Sequence, residues 1–199
     1  MLPLFLDLSR LRLVLAGNGE AALRRLALLE DAGAREIEIY AADPTPALAQ
    51  AAGHRLIRRW PQAADIARAQ LVFIADPPRT QRIAMAAVAH AARVIVHVED
   101  EPTLGDAQAP AVLRRGALTL AVSTGGASPA LAAQVRDFLG RLFGPEWVGR
   151  LEAVSRQRRR WREAGLTPDA ISRRTGAWVR RRGWLAARAP SAPPPASQT

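Results

Sequence analysis

The sequence predicts an α/β protein built on a doubly wound parallel sheet. Short apolar runs recur along the first half of the chain, and segments with helical periodicity separate them. Turn-forming residues such as Gly17, Asp43 and Asp76 close the successive runs. Strands that alternate with helices at this spacing are typical of parallel sheets covered by helices on both faces.

The beginning of the chain contains a strand, a turn, a helix and a second strand in that order. The apolar run at residues 11–15 predicts the first strand, and residues 20–32, rich in Ala and Leu, have helical periodicity. Gly33 is placed to end this helix. Residues 36–40 alternate as a half-buried strand does. Together these segments form a βαβ unit of about 30 residues.

The same alternation continues to the middle of the chain. Helices are expected over residues 46–53 and 80–92. Strands are expected over residues 56–57, 70–75 and 94–98. The continuous apolar run before Asp76-Pro77-Pro78 indicates a strand buried on both faces.

The pattern changes after Pro102. A loop through Pro110 is followed by an expected strand at residues 118–122, a turn of small residues at 123–129 and a helix at 130–142. An Arg-rich helical region comes next, and the tail is dominated by Pro, Ala and Ser, which indicates disorder.

Composition excludes several kinds of chemistry. The chain has no cysteine, which removes disulfides, thiolate zinc sites, iron–sulfur clusters and cysteine nucleophiles. No pair of histidines has ligand spacing, so no preformed metal site is expected. The first ten residues lack a basic leader and a cleavage site, and no stretch is apolar enough to span a membrane, so we expect a cytoplasmic protein.

The formal charge of +10 is concentrated in the last quarter of the chain. Twelve arginines lie between Arg150 and the end, against three acidic residues. Every basic residue in the chain is Arg, which indicates a compositional bias as well as a functional choice. Solvated helix faces packed with tryptophans are the simplest interpretation of these arginines.

The turn Gly17-Asn18-Gly19 lies where the first strand meets the first helix, so its backbone amides could bind a pyrophosphate at the positive end of the helix. Ala22 takes the third small position of the fingerprint. Asp43, near the end of the second strand, could bind ribose hydroxyls, which favours NAD over NADP. Asp76 lies at the same edge and either faces the cofactor or begins a turn. Both the glycines and Asp43 also suit ordinary turns without a ligand.

Four segments carry a resemblance to a known family. They are Leu-Pro-Leu-Phe-Leu-Asp-Leu at 2–8, Gly-Asn-Gly-Glu at 17–20, His-Val-Glu-Asp-Glu-Pro at 97–102 and Ala-Val-Ser-Thr-Gly-Gly-Ala-Ser-Pro-Ala-Leu-Ala at 121–132. Together they resemble the precorrin-2 dehydrogenase/sirohydrochlorin ferrochelatase module of siroheme synthase, over about residues 1–185. The Ser-Thr-Gly-Gly-Ala-Ser-Pro stretch is the most specific part. The resemblance is to the standalone form, without a methyltransferase domain.

The resemblance implies an NAD-dependent oxidation of precorrin-2 to sirohydrochlorin, followed in many members by insertion of ferrous iron as a second substrate. It also implies a homodimer. The expected division begins with a Rossmann NAD-binding domain over residues 1–112 and a central dimerisation region over residues 113–147. An Arg-rich helical domain over residues 148–185 and a disordered tail over residues 186–199 are expected to follow.

The resemblance also assigns site residues. The expected cofactor contacts, with Asp76 added from its place at the sheet edge, are Gly17, Asn18, Gly19, Glu20, Ala21, Ala42, Asp43 and Asp76. The expected substrate contacts are His97, Ser123, Thr124, Gly125 and Gly126. Asp100 matches the catalytic aspartate of the family.

Asp100 follows the strand at 94–98. Its carboxylate can act as the base for the oxidation and for metal entry, since both reactions remove protons from the macrocycle. Glu99 and Glu101 flank Asp100, and like charges would raise its proton affinity. The alternative is a solvated acidic turn before Pro102. His97 is interpreted either as a metal or substrate contact or as a structural residue.

Thr124 and Ser128 can each cap the helix that follows, with Ser128 preferred. The polar loop 103–110 departs from the Ser-Phe-aliphatic segment of the family, and Asp76-Pro77-Pro78 stands where the family often has Thr-Asp-Asp. Two rival functions stay open. One is an NAD-sensing or nucleic-acid-binding regulator with a basic surface, although no helix-turn-helix is evident. The other is a non-catalytic paralogue that binds tetrapyrrole.

Overall fold

A computed structural model describes residues 1–186 of the chain. It divides into two compact units. The first unit holds Met1–Ala111 and Val122–Ala133, and the second holds Val112–Ala121 and, within the described residues, the chain from Gln134 to Ala186. Apart from Ala186, the predicted tail at 186–199 lies outside the described residues.

The first unit is organised by a five-stranded sheet in which every pairing is parallel. Its strands are β1 (Arg12–Ala16), β2 (Glu36–Tyr40), β3 (Leu56–Ile57), β4 (Leu71–Ile74) and β5 (Ile95–Val98). Their spatial order is β3-β2-β1-β4-β5. This order reverses between β1 and β4, which is the switch point where α/β sheets bind ligands at the carboxyl ends of their strands.

Helices cover both faces of this sheet. They are α1 (Glu20–Asp31), α2 (Pro46–Ala52), α3 (Ala63–Arg68) and α4 (Arg79–Ala91). Leu15 of β1 packs in one buried cluster with Leu26 and Leu48, whereas its neighbour Val14 packs in the other with Ile66 and Met85. Because successive strand side chains point to opposite faces, α1 and α2 lie on one side and α3 and α4 on the other. The predicted doubly wound fold is confirmed.

The short helix α3 was not predicted from the sequence. Asp65 anchors it, since its carboxylate accepts hydrogen bonds from the Gln62 amide (2.8 Å) and from the guanidinium of Arg59 (2.6 Å). The hydrogen bond from Arg59 holds the pKa of the Asp65 carboxyl well below its usual range, in spite of its burial. The helix is therefore fixed by a buried charge with specific partners and not by an apolar stripe alone.

Between Pro110 and Ala186, the chain forms a two-stranded sheet and three helices. The strands are β6 (Ala111–Arg115) and β7 (Leu118–Val122), and the helices are α5 (Pro129–Leu142), α6 (Trp147–Glu163) and α7 (Pro168–Arg181). The expected loop through Pro110 therefore leads directly into an unpredicted strand, β6. Among the described residues, no helix combines the length and the apolar character that crossing a bilayer requires.

Arginines of the second unit stack on tryptophans. The guanidinium of Arg182 lies 4.3 Å from the ring centre of Trp178, whose ring packs edge-on against Trp184 at 5.2 Å. Arg150 lies 5.1 Å from the ring centre of Trp147. Cation–π contacts of this kind stabilise packing. Part of the Arg-rich region therefore serves the fold of the helices themselves.

Candidate functional site

The loops that carry the predicted site residues leave the sheet side by side. The Gly17 amide donates to the carbonyl of Tyr40 (3.0 Å), and the Ala75 amide donates to that of Ala16 (2.8 Å). The Glu99 amide continues the same ladder and donates to the Ile74 carbonyl at 2.9 Å. The turns after β1, β2, β4 and β5 therefore begin at one carboxyl edge, as the sequence predicted.

The turn after β1 is tightly packed. A Cβ on Gly17 would lie 2.7 Å from the Cβ of Ala22 and 3.2 Å from that of Ala75. Real Cβ atoms do not approach so closely, so position 17 needs glycine and position 22 needs a small residue. The third small position of the fingerprint is thus explained by helix–strand packing.

The first amides of α1 bind an anionic group that comes from the chain itself. Gly19 precedes the helix and offers no side chain to cap it. Instead, the Asp76 carboxylate accepts hydrogen bonds from the amides of Asn18 (2.5 Å) and Gly19 (2.9 Å), and a longer one from that of Ala22 (3.4 Å). The two carboxylate oxygens stand in for phosphate oxygens. The turn therefore fits the diphosphate of a dinucleotide once this carboxylate is elsewhere.

Asn18 ties this turn to the loop after β2. Its side-chain oxygen accepts a hydrogen bond from the Asp43 amide (3.1 Å), and its carbonyl accepts one from Thr45 (2.8 Å). Ala42 and Asp43 are exposed. These contacts bring the glycine turn, which is predicted to bind the diphosphate, next to Asp43, which is predicted to bind the ribose.

The remaining cofactor candidates begin α1. Glu20 is exposed and forms an ion pair with Arg24 (3.2 Å), and Ala21 is half-buried. Both residues lie in the first turn of the helix, directly after the turn that binds the Asp76 carboxylate.

Asp100 lies two residues after β5, at the same edge. It is exposed, and its φ of 59° places it in the left-handed region. This conformation is uncommon for a residue other than glycine, although Asp and Asn tolerate it best. Arg93, just before β5, has a similar φ of 58°, so the two non-glycine residues in this region flank the same strand. Strained residues are concentrated at functional sites, and of the two only Asp100 lies at the carboxyl edge.

A buried ion cluster lies beside Asp100. The guanidinium of Arg25, on α1, is hydrogen-bonded to the Glu99 carboxylate, and the Nε2 atom of His97 lies 3.4 Å from the same carboxylate. The hydrogen bond from His97, together with the ion pair to Arg25, lowers the pKa of Glu99 to about 2, although burial opposes this shift. Glu99 is therefore a fixed anion of the fold.

Glu101 is paired as well, with Arg82 (3.2 Å) and Arg79 (3.4 Å) at the start of α4. Each of the two carboxylates that flank Asp100 therefore faces arginine. Of these three consecutive acidic residues, Asp100 is the exposed one.

His97 is 9% exposed, and its ring packs against Phe73 with ring centres 5.4 Å apart. Its Nδ1 atom lies 3.1 Å from the Ala107 carbonyl, and its Nε2 atom faces Glu99. Both partners are acceptors, so both contacts are hydrogen bonds only when the ring carries two protons. This position supports the structural interpretation of His97, as a residue that holds the 105–107 loop against β5.

The predicted substrate turn is held by its own hydrogen bonds. The Thr124 hydroxyl accepts from the Ser128 amide (3.1 Å) and donates to the Ser128 carbonyl (3.0 Å), while the Ser123 hydroxyl accepts from the Gly125 amide (3.1 Å). The Ser128 hydroxyl accepts from the Leu131 amide (3.2 Å), so Ser128 caps α5 as preferred from the sequence. Within residues 1–186, this turn makes no hydrogen bond to Asp100 or to the glycine turn.

Sequence reasoning missed Arg25. The residue lies on the apolar face of α1, between Ala22 and Leu29, which are both buried. A charge on such a face rarely stays unpaired, so its position was a usable signal. Its partner, 74 residues along the chain, could not be identified without the fold.

A cavity of about 550 Å³ lies at the opposite, amino end of the strands, where Arg12 and Glu36 begin β1 and β2. Two of its arginines are already paired, Arg55 with Glu30 (2.6 Å) and Arg68 with Asp65 (3.0 Å). The cavity is separate from the predicted site. In the described part of the chain, no three His, Asp or Glu side chains are grouped as a metal site.

The strand order, the glycine turn and the amides that face an anion together define a dinucleotide-binding protein of the Rossmann class. Comparison with known proteins agrees. Residues 4–111 match the family model described as putative NAD(P)-binding, and residues 115–142 match that of the sirohaem biosynthesis protein central region. The chain belongs to this NAD(P)-binding family.

The relatives are siroheme synthases. The chain is 37% identical over 179 residues to the siroheme synthase of Pseudomonas putida (strain W619), covering 89% of this chain and 38% of the relative. It is 39% identical over 138 residues to that of Methylococcus capsulatus (strain Bath), covering 68% of this chain and 29% of the relative. The chain thus spans less than two fifths of the length of these curated relatives.

A solved structure has the same fold. The precorrin-2 dehydrogenase SirC is 21% identical, with a TM-score of 0.71 over 94% of this chain and 93% of that one. The resemblance drawn from the four sequence segments is confirmed by these matches.

The Glu99 cluster predicts a specific dependence of stability on pH. The folded-state pKa of Glu99 is about 2, against an ordinary value of 4.5, so the charged carboxylate stabilises the fold above pH 4.5 and this contribution is lost as the pH falls towards 2. Glu99→Gln should lower the free energy of unfolding by about 1–3 kcal/mol at neutral pH. The difference in the free energy of unfolding between parent and variant should shrink as the pH falls from 4.5 towards 2.

Urea unfolding of both proteins at several pH values measures this difference. Glu20→Gln is the matched control, because it removes a carboxylate from an exposed ion pair. A difference between parent and Glu99→Gln that is the same at neutral and acidic pH would contradict the assignment.

Proposed function

We propose that this chain catalyses the NAD-dependent oxidation of precorrin-2 to sirohydrochlorin. The observation that carries the proposal is the pair of amides at Asn18 and Gly19, which face an anion at the sheet edge where Asp100 emerges. Membership of the NAD(P)-binding family and the siroheme synthase relatives support it.

In this proposal, the amides of Asn18 and Gly19 hold the diphosphate of NAD, and Glu20 and Ala21 line it at the start of α1. Ala42 and Asp43 contact the ribose. The exposed carboxylate of Asp43 suits ribose hydroxyls and would repel the additional phosphate of NADP, so NAD is the preferred cofactor.

The oxidation removes a hydride and a proton from precorrin-2 and yields sirohydrochlorin, NADH and a proton. Bound NAD⁺ supplies the hydride acceptor. The Asp100 carboxylate, which is exposed at the carboxyl edge, takes the proton. The ion pairs of Glu99 and Glu101 keep those carboxylates engaged elsewhere, which leaves Asp100 as the available base.

The tetrapyrrole is assigned to the turn at Ser123, Thr124, Gly125 and Gly126 and to the loop that His97 supports. Gly125 and Gly126, with φ of 64° and 88°, let the backbone approach a carboxylated ligand closely.

Insertion of ferrous iron into sirohydrochlorin is proposed as a second reaction, with Asp100 again receiving protons. The domain boundaries and the cytoplasmic location stay predictions.

A homodimer belongs to the same proposal. Large apolar side chains on α5 are exposed at helical spacing, namely Leu131 (50%), Val135 (37%), Phe138 (42%) and Leu142 (44%). Residues spaced by four, three and four positions share one face of a helix. A continuous apolar stripe of this length fits burial against a second copy of the chain.

Asp100→Asn tests the chemical role. Asn tolerates the left-handed backbone and removes the negative charge, so the fold should persist while kcat/KM for precorrin-2 oxidation falls by about 10²–10⁴-fold. The affinity for NAD should stay close to that of the parent. Absorbance of NADH and of sirohydrochlorin measures turnover, and calorimetry measures the binding of NAD.

Asp100→Gly is the matched control for backbone strain, because glycine adopts the same φ freely. Both variants should be equally impaired. Full turnover in either one would remove Asp100 from the mechanism, and an inactive parent that binds NAD would favour the non-catalytic alternative.

Phe138→Glu tests the dimer. A charge in the centre of the α5 stripe should shift the protein from dimer to monomer in size-exclusion chromatography with light scattering. Asp137→Ala changes an exposed polar residue of the same helix and should leave the dimer intact. A parent protein that is monomeric at micromolar concentration would contradict this part of the proposal.

A further inference from the structure

We propose that Asp76 is an internal competitor for the cofactor diphosphate, so that the dinucleotide site is closed by the chain's own carboxylate until the ligand displaces it. The inference rests on the proposed function only in assigning NAD to the glycine turn. It adds a residue that sets cofactor affinity by opposing binding.

The first argument is geometric. Asp76 satisfies the amides of Asn18 and Gly19, which are the groups that would hold the diphosphate. A Cβ built on Gly17 would lie 2.8 Å from its Oδ1 atom, and one built on Gly19 would lie 3.0 Å from its Oδ2 atom. The carboxylate therefore fills the space over the turn that the two glycines leave open, and no second anion fits there.

The second argument is electrostatic. A diphosphate and a carboxylate on the same two amides would place like charges within contact distance, in a partly buried place where repulsion is strong. The two anions therefore exclude each other, and binding of one requires departure of the other.

The backbone around Asp76 determines how it can leave. The Ala75 amide is bonded to the Ala16 carbonyl of β1, and Pro77 is fully buried. The segment is thus anchored on both sides of Asp76. Its carboxylate departs by rotation of the side chain and not by movement of the whole loop.

Removal of the Asp76 carboxylate should therefore have two effects of opposite sign, one on stability and one on the affinity for NAD. Without cofactor, the carboxylate caps α1 and stabilises the turn, so its removal lowers the thermal unfolding midpoint. With cofactor, the same removal frees the amides, so NAD binds more tightly. A residue that merely holds the loop in shape would, on removal, weaken both stability and binding.

The experiment measures the dissociation constants of NAD and of inorganic pyrophosphate by calorimetry, and the thermal midpoint with and without NAD. The parent, Asp76→Ala and Asp76→Asn are compared. Asp31→Ala is the matched control, because it removes an exposed carboxylate from the other end of α1.

Asp76→Ala should bind NAD and pyrophosphate about tenfold more tightly than the parent, since a hydrogen bond to a charged group contributes about that factor. Its unliganded thermal midpoint should be lower. Asp76→Asn keeps an oxygen acceptor without the charge, so its gain in affinity for both ligands should be smaller. This variant tests the inference if Asp76→Ala does not fold. Asp31→Ala should match the parent in affinity.

Unchanged or weaker binding of both ligands by the Asp76 variants would overturn the inference. Tighter binding of pyrophosphate by Asp76→Ala without any binding of NAD would uphold the competition and refute the cofactor assignment. Binding of neither ligand by any variant would refute both.

Discussion

The first amides of α1 bind a carboxylate from a neighbouring strand, and this contact ties the turns of the carboxyl edge together. Gly19 precedes the helix and has no side chain to cap it. Asp76 after β4 supplies the carboxylate that accepts from the Asn18 and Gly19 amides. Because β1 and β4 are adjacent only where the strand order reverses, the fold itself creates this anion site.

The other acidic residues of the edge divide according to their partners. Glu99 is paired with Arg25 inside the protein, and Glu101 with arginines of α4. Asp43 and Asp100 stay exposed at the carboxyl ends of β2 and β5. Asp76 is held by backbone amides, whereas Asp43 and Asp100 are exposed and make no salt bridge among the described residues. The proposed function uses Asp43 for ribose binding and Asp100 for proton transfer.

The sheet and its large helices were predictable because each is encoded locally. Continuous apolar runs mark β1 and β4, and the glycine turn marks the junction of β1 with α1. The exceptions are informative. The apolar run of strand β6 is only three residues long, between Pro110 and two arginines. Helix α3 is too short to show helical periodicity and depends on the contacts of Asp65.

The site was predictable only as a set of positions at one edge. Its pairings, Asp76 with amides 57 and 58 residues away and Arg25 with a carboxylate 74 residues away, follow from tertiary packing. The arginine partners of Glu99 and Glu101 could not be predicted for the same reason, because the sequence shows only that these two carboxylates flank Asp100.

The most direct test of the central claim is a titration of ¹⁵N-labelled protein with NAD, followed through the backbone amide signals. Saturable shifts at Asn18 and Gly19, accompanied by a change at Asp76, are the predicted result, because the diphosphate replaces the carboxylate as their acceptor. Signals of the glycine turn that stay unmoved at saturating NAD, or shifts confined to another part of the chain, would contradict it.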